Sequence, residues 1–531
     1  MALMRKEKTD RKAAVTYVEQ AADESVDEAF DLALSDLLPR LGGTHPLHVG
    51  SEELLAESRF EVRSPFDQDL LIGSFQQCDP SQVDRAVTVA NEGFGAWSRI
   101  PWEERTGILE KAAGFLEQWK FDLAAIMTCE SGKPRYEAIA EAGEAAELIR
   151  YHCRVYREHD GFNSPMKPES ENTECVSVMR PYGTFAIISP FNFPLSLATG
   201  MACSALLCGN SVIMKPASAA PLSCLWLYRA CVRAGVPQNA VHYITGPGEA
   251  FGRAIAGNPG IAGIAFTGSR DAGTRLNRMF LERQPYQKPV VLELGSKNPV
   301  IVTGRADLER AAEGVAKSAF GYSGQKCSAT SRVYVQEGVA VRFVSLLREK
   351  TDSLRVGDPR GRDTVVGPLI DRRAVDRFGE SVSLARAAGA RVVTGGKILE
   401  GGIFEKGFYV QPTIITGVPE VHSLVKNELF IPLVIVNEYK TLPEALVKAN
   451  DSDFGLTAGI FSEDDEELAY FFDTIRSGVT YANRRGGATT GAWPGSQPFG
   501  GWKASGITGK GVGGPWYLLS YLHEQSRTRV R

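Results

Sequence analysis

Short apolar runs alternate with amphipathic stretches through the middle of the chain. GTFAIISP (183–190) reads as a buried strand, and SLATGMACSALLCG (196–209) as a helix closed by Gly209. The alternation then repeats. SVIMKP, VHYITG, IAGIAFTG and PVVLELG read as strands; PLSCLWLYRACVRAG, EAFGRAIAG and DAGTRLNRMF read as the helices between them. This pattern predicts successive βαβ units on a parallel sheet, hence an α/β fold. A second α/β region is expected from about Pro299 to Val479, with VIVNEYK and LTAGIFS as strands. Upstream, residues 1–50 read as helical with a loose end. Short strands broken at Ser64-Pro65 follow from Phe60 to Gln76. Residues 80–127 predict two helices, starting at Asp79-Pro80 and Pro101-Trp102, and 133–159 predict one long helix. The Gly-rich tail from Tyr481 to Arg531 suits a loop packed over a site or a strand reaching a partner subunit.

Open parallel sheets bind ligands at the carboxyl ends of their strands. Those ends hold Ser189-Pro190-Phe191-Asn192, Lys215-Pro216, Gly246-Pro247-Gly248, Thr267-Gly268-Ser269 and Glu293. Composition narrows the chemistry further. The formal net charge is −4 and no long Lys/Arg run occurs, which argues against a nucleic-acid partner. No apolar stretch reaches membrane-span length, and the start of the chain lacks the apolar core of a secretory signal. The nine cysteines show no metal-ligand spacing, so reduced thiols are expected and no metal site. A cytoplasmic location follows, or the mitochondrial matrix in a eukaryote.

Cys327 lies in GYSGQKCSATSRVYV, after the loosening Gly321 and Gly324. An accessible, ionised thiol is a strong protein nucleophile; the plain alternative is a packed structural cysteine. None of the seven histidines falls in the strand-end motifs, so a carboxylate base is the better candidate. Glu293 ends an apolar strand, where burial raises a carboxyl pKa and suits it to general-base work; otherwise it is an edge glutamate facing water. Asn192, between prolines in FNFP, is either a rigid amide donor for an oxyanion or a turn asparagine. Lys215 can hold a ribose or phosphate, or simply point into solvent. In FTGSRDAG, Gly268 opens a helix whose first N–H groups attract a pyrophosphate, a weak signal by itself.

FNFP, MKPAS, FTGS, ELGSKNP, GQKC, NELFIP and PFGGWKASG occur in the order of the aldehyde dehydrogenase superfamily, which the chain resembles over roughly residues 60–525. Glu293 and Cys327 stand 34 residues apart, similar to that family's separation of base and nucleophile. The resemblance implies a Rossmann-type NAD-binding domain (51–159 and 181–295), an α/β catalytic domain (296–480) and a small β oligomerisation element (160–180 and 481–531), after an N-terminal helical extension (1–50). It implies that Cys327 attacks the aldehyde and that Asn192 and the Cys327 N–H hold the oxyanion. Glu293 then activates the water that hydrolyses a thioester. Ser189, Pro190, Phe191, Lys215, Ser218, Gly248, Gly268, Ser269, Glu428 and Phe430 are expected around the cofactor. Ser218 departs from the glutamate that many NAD-preferring members carry, so NAD is expected and NADP use stays open.

GQKCSATSR, TTGAWPGSQPFGGWKASG and GKGVGGPWYL resemble the 1-pyrroline-5-carboxylate dehydrogenases within that family, which oxidise L-glutamate γ-semialdehyde. That resemblance places the substrate carboxylate at Ser328, Gly491 and Ala492, and its chain between Phe193 and Phe499. Glu147 aligns more loosely as a partner for the α-ammonium group. Other carboxylated semialdehydes, such as succinic semialdehyde, form the alternative, with Arg484 and Arg485 as carboxylate partners. A thiol esterase and a non-catalytic binding protein are the more distant ones. A homodimer or higher homo-oligomer and a pathway link to a proline dehydrogenase are also implied.

Overall fold

A computed structural model describes residues 24–486 and 493–531. Its fold is α/β, as the alternation predicts. The first sheet has seven strands in the spatial order Val290–Glu293, Ile261–Thr267, Thr184–Ile188, Ser211–Lys215, Val241–Tyr243, Leu47–Val49, Glu52–Leu54. The first five run parallel; the last two are antiparallel additions. The parallel strands are apolar on both faces because helices cover both, as Phe185, Ala186 and Ile187 illustrate by being buried in succession. Chain order reverses beside Thr184–Ile188, where the next strand in space is Ile261–Thr267 rather than Ser211–Lys215 on that side. A crevice opens at such a switch point. Register lines up the carboxyl ends: Ile188 pairs with both Lys215 and Phe266, and Thr267 with Glu293.

The second sheet also has seven strands, in the order Arg391–Thr394, Thr413–Thr416, Leu433–Tyr439, Thr330–Gln336, Asn298–Val302, Thr457–Phe461, Val479–Ala482. All but Arg391–Thr394 run parallel to their neighbours. Only Leu294–Lys297 separate the last strand of the first sheet from Asn298–Val302 of the second. The chain therefore crosses between sheets immediately after Glu293.

Two readings of the early chain change. Residues 44–45 and 47–49 are strands, not part of a helical extension; the helix there is Glu24–Leu37. Thr44–His45 pairs with Leu71–Gln76 and Leu47–Val49 with Val241–Tyr243. Segments this short show no periodicity, so only their partners define them. Residues 80–131 form three helices rather than two: Pro80–Trp97, Trp102–Gln118 and Lys120–Ser131. The extra break falls at Trp119, whose ring stacks on Phe115 at 5.6 Å and meets Trp226 edge-on at 5.2 Å. Tertiary packing of the indole overrides local propensity there. The first of these helices starts as expected, with Asp79 and Gln82 forming a capping box.

A third sheet stands apart. Ser164–Met166 and Thr173–Pro181 form a hairpin, and Leu522–Val530 pairs antiparallel with Thr173–Pro181. Beyond Leu522 that last strand is exposed along its length. The preceding stretch of tail folds back over the junction of the two large sheets: the Leu294 N–H donates to the Ser505 carbonyl at 2.8 Å, and Trp502–Lys503 pairs with Phe454–Gly455. Among the described residues no helix is long and apolar enough to cross a membrane.

Candidate active site

The aligned carboxyl ends open onto a cavity of about 710 Å³, within the size range of small-molecule sites. Ser189, Pro190, Phe191 and Asn192 line it from the first strand end, Lys215 from the second, and Gly268 and Ser269 from the fourth. Glu428 and Phe430 line it from the loop before the strand Leu433–Tyr439, and Cys327 from the loop before Thr330–Gln336. The rings of Phe191 and Phe430 meet edge-to-face at 5.9 Å. Residues far apart in sequence thus reach one space because both sheets end there.

Cys327 follows the helix Leu308–Phe320 and a tight turn, Gly321–Gly324. Tyr322, Ser323 and Gly324 all take positive φ (50°, 56° and 65°). Two of these are not glycines, a costly conformation that persists only where surroundings enforce it. The enforcement is visible. The Tyr322 hydroxyl donates to the Ser131 carbonyl at 3.0 Å, and Ser323 Oγ to the Gly367 carbonyl at 2.6 Å. The Gln325 side chain donates to Pro368 O and accepts from Ile370 N–H. Gly324 could carry no side chain, because a Cβ would lie 2.6 Å from the Ile431 carbonyl oxygen. The Cys327 thiol is pushed up to about 12, chiefly by burial, with the carboxylates of Glu428 and Glu293 adding to the effect. The backbone N–H groups of Cys327 and Ser328 oppose the rise. The resting thiol is therefore neutral.

Asn192 is buried and donates one Nδ2 hydrogen to the Gln325 carbonyl at 2.9 Å. A primary amide nitrogen carries two hydrogens, so one remains for a ligand oxygen. Glu293 is buried and its Oε2 accepts from the Gly501 N–H at 3.2 Å. Burial raises its pKa well above the ordinary value, while that N–H works the other way. Glu428 Oε1 accepts from the Ser296 N–H at 2.8 Å, and burial brings its pKa to about 7. Gly295 permits this approach: a Cβ there would sit 2.4 Å from Glu428 Oε2.

Lys215 is buried, and desolvation lowers its pKa to about 8. Its ammonium donates to the Pro216 carbonyl at 3.0 Å, leaving further N–H donors toward the cavity it lines. Ser269 caps the helix Arg270–Arg283, so free N–H groups of that helix start face the same space. Gly248 begins the helix Gly248–Gly257 beside Lys215; its Cβ position lies 3.8 Å from the ammonium. These groups fit a dinucleotide: a cation and two helix starts for phosphates, a carboxylate for a ribose. Neither Gly248 nor Ser218 lines the cavity, and Ser218 donates to the Gly246 carbonyl at 3.2 Å.

The expected substrate residues are less gathered. Phe193, Ser328 and Phe499 lie outside the lining of this cavity. Phe193 adjoins Asn192, Ser328 adjoins Cys327, and Phe499 pairs with Val512 in the tail. Glu147 accepts from Arg154 at 2.9 Å, so its charge already has a partner. Gly491 and Ala492 lie outside the described residues. Arg484 donates to Gln497 Oε1 at 3.1 Å, and Arg485 pairs with Glu313 at 3.4 Å. Arg377 lines the cavity near Glu428, although nothing in its Arg-rich helix sets it apart in sequence. Leu294 and Gly295 also reach the cavity; their place in ELGSKNP, just past a strand end, was the signal available.

The pattern that defines the aldehyde dehydrogenase family matches residues 53–526. A 1-pyrroline-5-carboxylate dehydrogenase of Geobacillus sp. (strain WCH70) is 35% identical over 505 residues, covering 94% of this chain and 95% of that protein. The structure of a Thermus 1-pyrroline-5-carboxylate dehydrogenase with bound NAD superposes with a TM-score of 0.92 at 30% identity, over 99% of this chain and 100% of that one. Proline utilization A from Bdellovibrio bacteriovorus superposes with a TM-score of 0.91 at 32% identity over 96% of this chain; the chain spans about half (52%) of that longer protein.

Proposed function

This chain belongs to the aldehyde dehydrogenase family of NAD(P)-dependent oxidoreductases, and on that footing we propose that it oxidises L-glutamate γ-semialdehyde, the open form of 1-pyrroline-5-carboxylate, to L-glutamate with NAD. The observation that carries the chemistry is the meeting of Cys327 and Asn192 in one cavity, which Leu294 and Gly295 line immediately after Glu293. The substrate assignment draws on the Cys327-Ser328 sequence and on the full-length likeness to 1-pyrroline-5-carboxylate dehydrogenases.

In this reading the Cys327 thiol proton passes to a solvent water as Sγ bonds to the aldehyde carbon. The free Asn192 amide hydrogen and the Cys327 N–H hold the oxygen, which bears the developing charge. Lys215, the helix starts at Gly248 and Ser269, and Glu428 would hold the dinucleotide. When bound, NAD supplies the hydride acceptor. The product of that transfer is a Cys327 thioester. Glu293 takes a proton from water, the water oxygen bonds to the acyl carbon, and the carbon–sulfur bond breaks to release the acid. The Phe193 and Phe499 rings wall the aliphatic chain, and Ser328 with the 491–492 segment takes the α-carboxylate. The partners found for Arg484 and Arg485 count against succinic semialdehyde.

NADP is a second reading. Ser218 offers no carboxylate to repel a 2′-phosphate, and the Lys215 ammonium is close to the same helix start. A proline dehydrogenase would supply the semialdehyde, and the exposed strand Leu522–Val530 with its hairpin would join copies into a homodimer or larger assembly. Replacing Cys327→Ala tests the mechanism. Aldehyde-dependent NADH formation should vanish while NAD affinity measured by calorimetry persists; retained turnover would refute a thiol nucleophile.

A further inference from the structure

The segment between the helices Lys120–Ser131 and Arg135–Glu158 contains a lysine that no exposed role explains. Lys133 has no solvent-exposed side-chain surface, and neither has its ion-pair partner Glu141. Lysine is seldom fully buried, because removing its charge from water is costly unless it is paired. Each member of this pair also holds something else. Glu141 Oε1 accepts from the N–H groups of Leu195 and Ser196, at 3.0 and 3.1 Å, at the start of the helix Ser196–Leu207. The Lys133 ammonium sits 3.6 Å from the centroid of the Phe193 ring and 4.9 Å from that of Tyr322.

Those two rings belong to the two loops whose spacing matters. Phe193 follows Asn192. Tyr322 lies in the left-handed turn before Cys327, and Gln325, three residues later, accepts the Asn192 amide. The loops touch at that hydrogen bond and are bridged a second time by the ammonium. The same long helix reaches the nucleophile loop again through Glu137, which pairs with Lys326 at 2.6 Å.

We propose that Lys133 is a positioning residue, whose buried ammonium between the Phe193 and Tyr322 rings, anchored by Glu141, sets the Asn192 amide against the Cys327 loop. One hydrogen bond leaves an amide free to pivot; a second attachment on the neighbouring residue removes that freedom. Cation–ring attraction is directional and strengthens on desolvation, so an apolar side chain of equal length does not substitute for it. A purely stabilising role is different: buried ion pairs are often replaced by apolar groups without loss of stability. This inference rests on the proposed role of Asn192 as the oxyanion donor.

The test uses the full-length enzyme and the aldehyde it turns over fastest. Removing one charge alone risks misfolding, so the variant is the neutral pair Lys133→Met/Glu141→Gln, in which the glutamine carbonyl still accepts at the helix start. Parent and variant are matched for melting temperature and NAD affinity. The expected result is a loss of kcat of about ten- to a hundred-fold, the scale of a small misplacement of reacting groups, with the aldehyde KM little changed. In an Asn192→Ala background the same pair of changes should cost less than about twofold, because the group they position is gone. A kcat within twofold of the parent, or an undiminished loss in the Asn192→Ala background, overturns the positioning role. If Asn192→Ala alone leaves kcat at the parental value, the oxyanion assignment fails instead, and this inference with it.

Discussion

Burial keeps the Cys327 thiol protonated at rest and works against charge on the Glu293 carboxyl. The Cys327 thiol stands at about 12 and the Glu293 carboxyl well above its usual range. A negative charge on Glu293 also disfavours ionisation of the Cys327 thiol. A group with a raised pKa gains its basic form as pH rises, so hydrolysis of the acyl-enzyme should accelerate with pH through the Glu293 pKa. Glu293→Gln should remove that limb and slow hydrolysis about 10²- to 10⁴-fold, the usual worth of a general base. Rapid mixing should then show one equivalent of NADH formed per site before turnover stalls; absence of that burst would mean that Glu293 acts before hydride transfer. At this scale strand ends were a partial guide, since Gly248 and Glu293 stand at strand ends yet do not line the cavity. Asn192, Lys215, Ser269 and Glu428 all line the cavity that their motifs implied. Lys133 and Arg377 were not legible, because their neighbours come from distant segments and their own surroundings look like ordinary charged helix.

Two helices in this fold, Ser196–Leu207 and Leu222–Ala234, start against a distant buried carboxylate rather than a local cap. Pro221 offers no side-chain cap to the helix Leu222–Ala234. Glu130, 92 residues before Leu222, accepts from the Leu222 and Ser223 N–H groups at 2.8 and 3.0 Å and from the Ser223 hydroxyl. Glu130→Ala orphans these donors and should cost about 1–3 kcal/mol in urea unfolding, the penalty for a buried unsatisfied polar group; no change in midpoint would contradict the capping role. The same residue gives a pH signature. Burial raises its pKa from 4.5 to about 7, so between those values the folded state binds a proton that the unfolded state has released. Stability from this group is complete below pH 4.5 and is lost as pH rises toward 7. Relative to Glu130→Gln, the parent should therefore melt progressively lower between pH 4.5 and 7, and a constant difference would refute the shift. Long elements with strong periodicity were readable from sequence, including the helix Arg135–Glu158 and every parallel strand of the first sheet. The strands at 44–49 and the break at Trp119 were not, since pairing partners and an aromatic cluster decide them.

Across the whole molecule, function follows from how the two sheets are joined. Glu293 ends one sheet, four residues cross over, and the next sheet begins; the tail then clamps that crossing through Gly501 and Ser505. The α/β class and the order of the strands' motifs were legible. The tail's grip on Glu293 was not, because Gly501 contributes only a backbone N–H. The tail's end plays another part. Removing residues 523–531 strips the strand paired with Thr173–Pro181 and exposes a sheet edge. Light scattering after gel filtration should show a smaller assembly than the parent; an unchanged mass would place the subunit interface elsewhere.

The central claim is the identity of the aldehyde. Steady-state NADH formation should be measured with 1-pyrroline-5-carboxylate, succinic semialdehyde and simple alkanals, each with saturating NAD. kcat/KM should be by far the highest for 1-pyrroline-5-carboxylate. A higher value for succinic semialdehyde or an alkanal would contradict it.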